Sequence, residues 1–222
     1  YADLHKGETS MKGLLKRDFL IMIKKIGKVK CILLLLVTLG LIIFIKDMAF
    51  IFLAVFLPVL CVAFPAVLLI EDEKCHWAKV ATAFPVNKKQ IVTSRYIFCI
   101  ASCVVLSVSS MGIGLIYYIV KALDFSLMVT FNLTGVCFAV FYILILIPCN
   151  YALGSQASSY VMIGMIGVVW LIGRCLPIDK ITVGNLPECW PYLAVLGLAA
   201  ILVVTGVLSW YVSLKVYDWK IK

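Results

Sequence analysis

The stretch of sequence that decides the fold is residues 125–173, FSLMVTFNLTGVCFAVFYILILIPCNYALGSQASSYVMIGMIGVVWLIG, which contains no charged side chain. A helix that rises about 1.5 Å per residue needs roughly 20 residues to cross a hydrocarbon core about 30 Å thick. These 49 residues are therefore long enough to cross a membrane twice. A turn between the two crossings is predicted at residues 148–156, where proline, asparagine, glycine, serine and glutamine interrupt the aliphatic pattern.

Other uncharged stretches supply the remaining crossings. They cover residues 31–45, 48–70, 96–120 and 189–214. The first has only 15 residues, so Val29 and the apolar stems of Lys30 and Lys46 must complete it. We therefore predict an all-α, polytopic membrane protein. Its six spans are placed at about residues 29–46, 48–70, 94–120, 125–148, 157–174 and 190–214.

The overall composition agrees with this class of protein. Hydrophobic residues make up 64% of the chain, charged residues make up 14%, and the mean hydropathy is +1.11. These values leave no room for a separate soluble domain beside the six-helix transmembrane domain of residues 29–222.

Lysines and arginines fall unevenly on the two sides of the six spans. Apart from Lys6 in residues 1–10, fifteen lie in the N-terminal segment, at the loop between spans two and three, and in the C-terminal tail, whereas four lie in the loops of the opposite side. Because short cytoplasmic loops carry the excess of positive charge, both termini are predicted to lie in the cytoplasm, with the spans in the inner membrane. We therefore attribute the net charge of +9 to orientation in the membrane rather than to nucleic-acid binding.

The N-terminal segment precedes the first span. Residues 1–10 lack a basic segment followed by an apolar core, and we interpret them as a tag remnant before a start at Met11. Residues 11–28 are predicted to form an amphipathic interfacial helix, which Gly27 separates from span one. Its apolar face is formed by Leu15, Phe19, Met22 and Ile26. The alternative is a plain cytoplasmic start to span one, flanked by positive charges.

The loop between spans two and three, residues 71–93, has more internal order than a connector needs. The three acidic residues at its start suit the first turn of a helix over about 72–83, where they favour the helix dipole. Apolar side chains recur on one face of that helix, at Trp77, Val80, Ala81 and Phe84. Pro85 ends the helix, and Asn87 with Gln90 forms a near capping box before span three. Such a helix below the membrane is suited to bind another protein.

The acidic cluster, the tryptophan and the sequence FPVNKKQIVxxRY at residues 84–96 follow span two in that order. This order resembles the type-2 ABC exporter permeases of Gram-positive bacteria. Within them the chain is similar to the small permeases that export amphipathic peptides, of the phenol-soluble-modulin exporter type. The likeness covers the whole chain in topology and is specific at about residues 71–96.

The resemblance implies a homodimer in which each permease chain rests a coupling helix in a groove of a separate ATP-binding subunit. Two copies of that partner are expected, and ATP and magnesium would bind to it rather than to this chain. The positions that match the coupling segment are Glu71, Asp72, Glu73, Trp77, Val80, Phe84 and Pro85. Residues 11–26 match the elbow helix of the family. The chain departs from larger relatives in its short outer loop of residues 173–188, which favours a substrate taken from the cytoplasm or inner leaflet.

The sequence contains no energy source of its own. It has no glycine-rich P-loop ending in Gly-Lys-Ser or Gly-Lys-Thr. The predicted spans contain no ionisable residue in their apolar interiors, which ion-coupled carriers normally need. The only histidines, His5 and His76, are too few for a metal or triad site. We therefore expect a non-enzymatic chain that depends on a partner ATPase.

Nine cysteines show no metal-binding spacing, and most lie singly in apolar helix. Cys175 and Cys189 fall near the outer ends of spans five and six, where a disulfide is possible by position. Two unpaired thiols are the alternative.

Polar and aromatic side chains in the spans are candidates to line a substrate path. These candidates are Tyr117, Tyr118, Tyr142, Ser158 and Tyr160. The alternative role for most polar and small residues in these spans is helix packing.

Three functions remain open from the sequence. The first is the permease of an ATP-driven exporter of amphipathic or hydrophobic peptides. The second is the substrate-binding membrane subunit of an energy-coupling-factor vitamin importer, which has a similar length and span count. The third is a membrane sensor or assembly factor. The loop of residues 71–93 favours the first, because importer subunits of the second kind lack it.

Overall fold

The computed structural model describes residues 2–45, 49–75, 77, 87–121, 125–175 and 190–221. These residues are helical apart from short turns, and they include no strand, in agreement with the all-α prediction. The α-helices are α1 (Ala2–Ile45), α2 (Ala49–Val59), α3 (Ala63–Lys74), α4 (Lys88–Lys121), α5 (Phe125–Leu153), α6 (Ala157–Cys175) and α7 (Trp190–Ile221). Two short 3₁₀ segments, Leu60–Val62 and Gly154–Gln156, connect α2 to α3 and α5 to α6.

Within the described ranges, four helical stretches have the length and hydropathy needed to cross a membrane. They are Phe52–Lys74, Lys88–Ile116, Met128–Leu153 and Gly197–Trp219. Two shorter apolar stretches, Ile32–Phe44 and Ala157–Val168, coincide with the predicted first and fifth spans. The chain is thus a multi-pass membrane protein, while the count of six spans stays a prediction.

Helix α1 is interrupted at Gly27, whose φ of 58° and ψ of 159° lie outside helical geometry. A side chain is strained at this positive φ, whereas glycine adopts it freely. The interruption divides α1 into residues 2–26, here called the N-terminal arm, and an apolar second half. Gly27 therefore breaks the helix at the position that the sequence indicates.

The second span is assembled from α2, the 3₁₀ segment Leu60–Val62 and α3. Pro58 lies inside α2 and has no N–H to donate to the carbonyl of Ala54. Asn132 of α5 lies with its Nδ2 3.5 Å from that carbonyl oxygen. Because a neighbouring helix supplies the donor, the span continues from residue 49 to residue 74 without a loop.

Helix α5 continues through Pro148 and ends at Leu153, so the prediction that the turn begins at residue 148 was wrong. The turn is confined to Gly154–Gln156. Proline normally disrupts a helix because it leaves the carbonyl four residues earlier without a donor, and here that carbonyl belongs to Leu144. Ser209 of α7 donates its hydroxyl to the Leu144 oxygen, and this contact allows α5 to extend beyond the proline.

Helix α5 is the central helix of the bundle and contacts α2, α4, α6 and α7. Its fully buried side chains include Ile143, Leu146 and Ile147. Gly135 allows α5 to approach α2 closely, because a Cβ at this position would lie 3.0 Å from backbone atoms of Val55. Small residues at such crossings are typical of packed membrane helices.

Four parts of the chain meet at one end of the bundle: the N-terminal arm, the junction of α3 with α4, the turn between α5 and α6, and the end of α7. Lys88 of α4 pairs with Asp218 of α7 at 2.8 Å. A Cβ on Gly154 would lie 2.8 Å from Oε1 of Glu73, so the α5–α6 turn touches the end of α3. The ion pairs of the arm, described next, complete this end of the molecule.

Candidate functional site

Four charged side chains form a closed ring between the N-terminal arm, α3 and α4. We call this set, Arg17, Asp18, Asp72 and Arg95, the ion cluster. Arg17 Nη2 donates to Oδ1 of Asp72, and Arg95 Nη2 donates to Oδ2 of the same carboxylate. Asp18 Oδ1 lies 3.4 Å from Arg17 Nη1 and 3.7 Å from Arg95 Nη1. Each carboxylate therefore faces both guanidinium groups.

The ion cluster is largely shielded from solvent. Asp18 is 2% exposed and Arg95 is 6% exposed. Two positive and two negative charges balance within the ring, so no ion is left uncompensated in the low-dielectric interior. Buried ion pairs of this kind contribute little net stability, because the cost of removing the ions from water offsets their attraction. Their main consequence is to fix the relative positions of the elements that carry them.

Helical spacing brings Asp18 into the cluster. Leu14, Asp18 and Met22 are four residues apart and are all buried, so they form the inner face of the N-terminal arm. Met22 and Leu14 belong to the hydrophobic core that also contains Leu68 of α3 and Val92 of α4. Packing of this apolar face against α3 and α4 thus carries Asp18 to the two arginines.

Burial raises the pKa of the Asp18 carboxyl above its ordinary value. The guanidinium groups of Arg95 and Arg17 act in the opposite direction, and the carboxylate of Asp72 raises the pKa further. The side chain is therefore closer to protonation near neutral pH than a solvent-exposed aspartate.

The acidic residues of the predicted coupling segment lie at the end of α3, not at the start of a new helix. Helix α3 ends at Lys74, and the Cys75 N–H donates to the carbonyl of Glu71. The expectation that the acids occupy the first turn of a helix over residues 72–83 was therefore wrong. Carboxylates are unfavourable at a helix C-terminus. Basic partners offset that effect here, since Glu71 pairs with Lys25 at 2.7 Å and with Lys74 at 3.2 Å.

Trp77, which was predicted to lie on a helix face that binds another protein, is half-buried and packs against the core of this chain. The guanidinium of Arg17 lies 3.7 Å from the centre of its ring, which is cation–π geometry. Trp77 therefore connects the ion cluster to the residues that follow α3. Val80, Phe84 and Pro85, the other predicted coupling residues, lie outside the described residues.

The predicted apolar face of the N-terminal arm is divided between two sides of the helix. Met22 is buried, Leu15 is partly buried, and Phe19 is 56% exposed. The side chain of Ile26 lies outside the described residues. The outward apolar surface consists of Phe19, Leu20 and Ile23. An exposed apolar strip beside lysines is typical of a helix that lies on a membrane surface.

A groove runs between the second span and α6, with Tyr142 of α5 at its base. Two adjoining cavities of about 390 Å³ and 490 Å³ form it, and both are bordered by Val59, Val62 and Met162. On α6 the lining extends from Ser158 to Trp170, about 18 Å at the helical rise. None of the described residues that line the two cavities is charged. The groove is suited to an apolar chain or helix face.

The predicted substrate-lining residues do not all meet in this groove. Tyr142 and Ser158 do, and the Tyr142 hydroxyl donates to the Ser158 carbonyl at 3.2 Å. Tyr160 is 60% exposed, and Tyr118 is exposed on α4, away from the groove lining. The side chain of Tyr117 lies outside the described residues.

Among the described residues, no group of three or more histidine, cysteine, aspartate or glutamate side chains is placed to hold a metal ion. Six cysteines of the described ranges are free thiols, namely Cys61, Cys75, Cys99, Cys103, Cys137 and Cys149. The predicted disulfide cannot be placed, because Cys189 and the side chain of Cys175 lie outside the described residues.

Sequence reasoning missed three residues that organise the bundle: Asp18, Arg95 and Asn132. From the sequence, Asp18 and Asn132 have no predicted role, and Arg95 counts only among the positive charges of one side. A signal for Asp18 was present, because it is the one acidic residue among the basic and apolar side chains of residues 11–28. Asn132 accepts from Ser107 at 2.7 Å and donates to Ser110, so these serines serve helix packing.

Comparison with known families adds one finding. The model of a family described as ABC-2 family transporter protein matches residues 13–218. The match begins in the N-terminal arm and ends in the last turns of α7, so it includes the whole ion cluster and the groove. No curated protein and no solved structure gives a significant match.

Proposed function

The chain belongs to the ABC-2 transporter family and is a membrane permease of an ABC transporter, and from this premise we propose that it exports amphipathic or hydrophobic peptides as a homodimer. In this family the permease is generally non-catalytic, and ATP hydrolysis belongs to a partner ATPase. We propose two copies of that partner, each binding ATP and magnesium. The family match argues against the alternative of an energy-coupling-factor importer subunit.

The observation that carries the proposal is the construction of the α3–α4 junction. Asp72, at the start of the predicted coupling segment, is held by two arginines from two other elements, six residues before the part of that segment that covers residues 78–86. A segment that receives force from a partner needs a rigid attachment to the spans it moves. The ion cluster and Trp77 provide such an attachment at the end of the second span.

We place the end of the bundle that contains the ion cluster in the cytoplasm, with both termini on that side and the spans in the inner membrane. The excess of lysine and arginine in the sequence supports this orientation. The contacts that join the N-terminal arm, the α3–α4 junction and the end of α7 support a common side for these segments.

Substrate is proposed to enter the groove beside Tyr142. An amphipathic peptide presents one apolar and one polar face, and the uncharged lining suits the apolar face. The lining residues belong to helices that we place in the membrane, and we propose that a peptide reaches the groove from the inner leaflet. The aromatic ring of Trp170 borders the far end of the groove.

The partner assignment is tested by co-purifying the permease with the ATP-binding-cassette subunit expected from the neighbouring gene. Phe84→Ala should lower the amount of ATPase recovered per permease, while the permease keeps its melting temperature. Phe19→Ala is the matched control, because Phe19 is an exposed aromatic residue of the arm. Equal recovery with wild type and both variants would reject residues 78–86 as the docking segment. Absence of ATPase from the wild-type preparation would reject the partner itself.

The substrate assignment is tested in proteoliposomes that contain the permease–ATPase complex. A synthetic amphipathic helical peptide should stimulate ATP hydrolysis, and a scrambled peptide of the same composition should not. Trp170→Ala should weaken the stimulation, whereas Trp219→Ala, at an exposed position on α7, should leave it unchanged. Equal stimulation by both peptides would contradict recognition of an amphipathic helix.

A further inference from the structure

The ion cluster holds the end of α3 from two directions. The two oxygens of Asp72 bind different arginines, Arg17 from the N-terminal arm and Arg95 from α4. A carboxylate bound through both oxygens is fixed in rotation as well as in position. The last turn of α3 therefore cannot turn about its axis without breaking one of these bonds.

Asp18 makes the ring complete. Without it, two guanidinium groups would face the single carboxylate of Asp72 in a buried site. With it, Arg17 and Arg95 each have a second acidic partner, at 3.4 Å and 3.7 Å. Separation of α3 or of α4 would leave one ion of the ring unpaired away from water, which is strongly unfavourable. Separation of the arm would leave the Arg95–Asp72 pair and would break the contacts that Arg17 and Asp18 make with it.

We infer that Asp18 and Arg95 are positioning residues that make the N-terminal arm, the end of α3 and the start of α4 one rigid body, which carries the coupling segment. This inference rests on the proposed function, because it assumes that an ATPase docks on residues 78–86. The consequence is that force on the segment moves the arm together with spans two and three. The exposed Phe19, Leu20 and Ile23 then move relative to the membrane surface.

The inference is tested on the permease–ATPase complex in lipid nanodiscs by measuring a distance between two spin labels. The labels are placed at Lys16→Cys on the arm and Lys89→Cys on α4, both exposed positions, after label-reactive native cysteines are replaced by serine. The distance should be the same without nucleotide and after trapping with ATP and vanadate. A shift of the distance on trapping in the otherwise wild-type protein overturns the inference, and this result needs no cluster variant to fold.

A charge-balanced double variant, Arg17→Gln with Asp18→Asn, releases the arm and keeps the Arg95–Asp72 pair. Its label distance should broaden, and its maximal rate of ATP hydrolysis should fall with an unchanged KM for ATP, since the ATP site lies on the partner. Partial unfolding would also lower the maximal rate at an unchanged KM, so the rate is measured per mole of folded complex recovered after size-exclusion chromatography. Lys25→Gln is the control, because it removes a more exposed ion pair of the same arm and should behave as wild type.

The outcomes separate this inference from the proposed function. If wild-type permease recovers no ATPase, the proposed function and the inference fall together. If the ATPase binds and hydrolyses ATP, but the double variant matches wild type in distance and rate, only the inference is overturned.

Discussion

Gly154, in the turn between α5 and α6, has both a backbone conformation and a close contact that favour glycine. Its φ of 79° lies in the left-handed region, which costs an L-residue about 1–2 kcal/mol. Its missing side chain also leaves room for the carboxylate of Glu73, which would lie 2.8 Å from a Cβ. The carboxylate is the far end of a flexible side chain and can move aside. The backbone conformation is therefore the stronger reason for glycine.

Gly154→Ala is predicted to lower the free energy of unfolding by about 1–2 kcal/mol, because alanine is strained at positive φ. Gly164→Ala on α6 is the control, since a Cβ there meets no atom within 4 Å and the position is helical. The control should be neutral or slightly stabilising. Unfolding in detergent titrated with dodecyl sulfate measures both, and equal effects would contradict the role of positive φ.

Asp18→Asn tests the raised pKa of the buried carboxyl. Because the folded state binds this proton at a higher pH than the unfolded chain, the stability that Asp18 contributes increases as pH falls through the raised pKa toward the unfolded value. It is lost as pH rises through the raised pKa. Arg17, Arg95 and Asp72 face the carboxyl. The variant lacks this titration, so its melting temperature relative to wild type should fall as pH is lowered from about 7 to about 4. A constant difference across that range would contradict the shift.

At the scale of elements, prolines inside α2 and α5 are tolerated because side chains of other helices replace the missing N–H donors. Ser209 performs this role for the carbonyl freed by Pro148, and its oxygen lies 2.6 Å from the Tyr96 hydroxyl. One serine thus connects α4, α5 and α7. Whether α5 continues through its proline therefore depends on a side chain of α7. Helix propensities, which describe one helix at a time, do not include this dependence.

Ser209→Ala is predicted to destabilise the protein by roughly 1 kcal/mol, within the range for hydrogen bonds between membrane helices. The cost should shrink when Pro148→Ala is also present, because the restored N–H at position 148 can donate to Leu144. Ser109→Ala is the control, since its hydroxyl is exposed and donates within its own helix to Val105. An equal cost of Ser209→Ala in both backgrounds, measured by unfolding, would contradict this explanation.

At the scale of the whole molecule, contacts alone bring the N-terminal arm, the α3–α4 junction, the α5–α6 turn and the end of α7 to one end. In the predicted six-span topology, two crossings separate each of these segments from the next, so all four lie on the same side of the membrane. The tertiary contacts and the distribution of lysine and arginine therefore favour the same topology by independent reasoning.

Asn87→Cys and Lys215→Cys, both at exposed positions, are predicted to react with a membrane-impermeant maleimide only after the cells are permeabilised. Thr182→Cys, in the short loop predicted to face outward, should react in intact cells and controls for reagent activity. The cysteines are introduced into a chain whose reactive native thiols are replaced. Labelling of Asn87→Cys in intact cells would reverse the proposed orientation.

The sequence by itself determined the class of protein, the approximate positions of the four long apolar helices and the break at Gly27, because long uncharged runs and glycine act locally and do not depend on neighbours. It also indicated the family, through the spacing of the acidic cluster, the tryptophan and the FPVNKK segment. Only the tertiary structure decided that α5 passes through Pro148, that the acids end α3, and that Asp18 and Arg95 are buried together. Each of these depends on a donor or counter-charge from a distant part of the chain. Periodicity and propensity describe one helix at a time and cannot supply that partner.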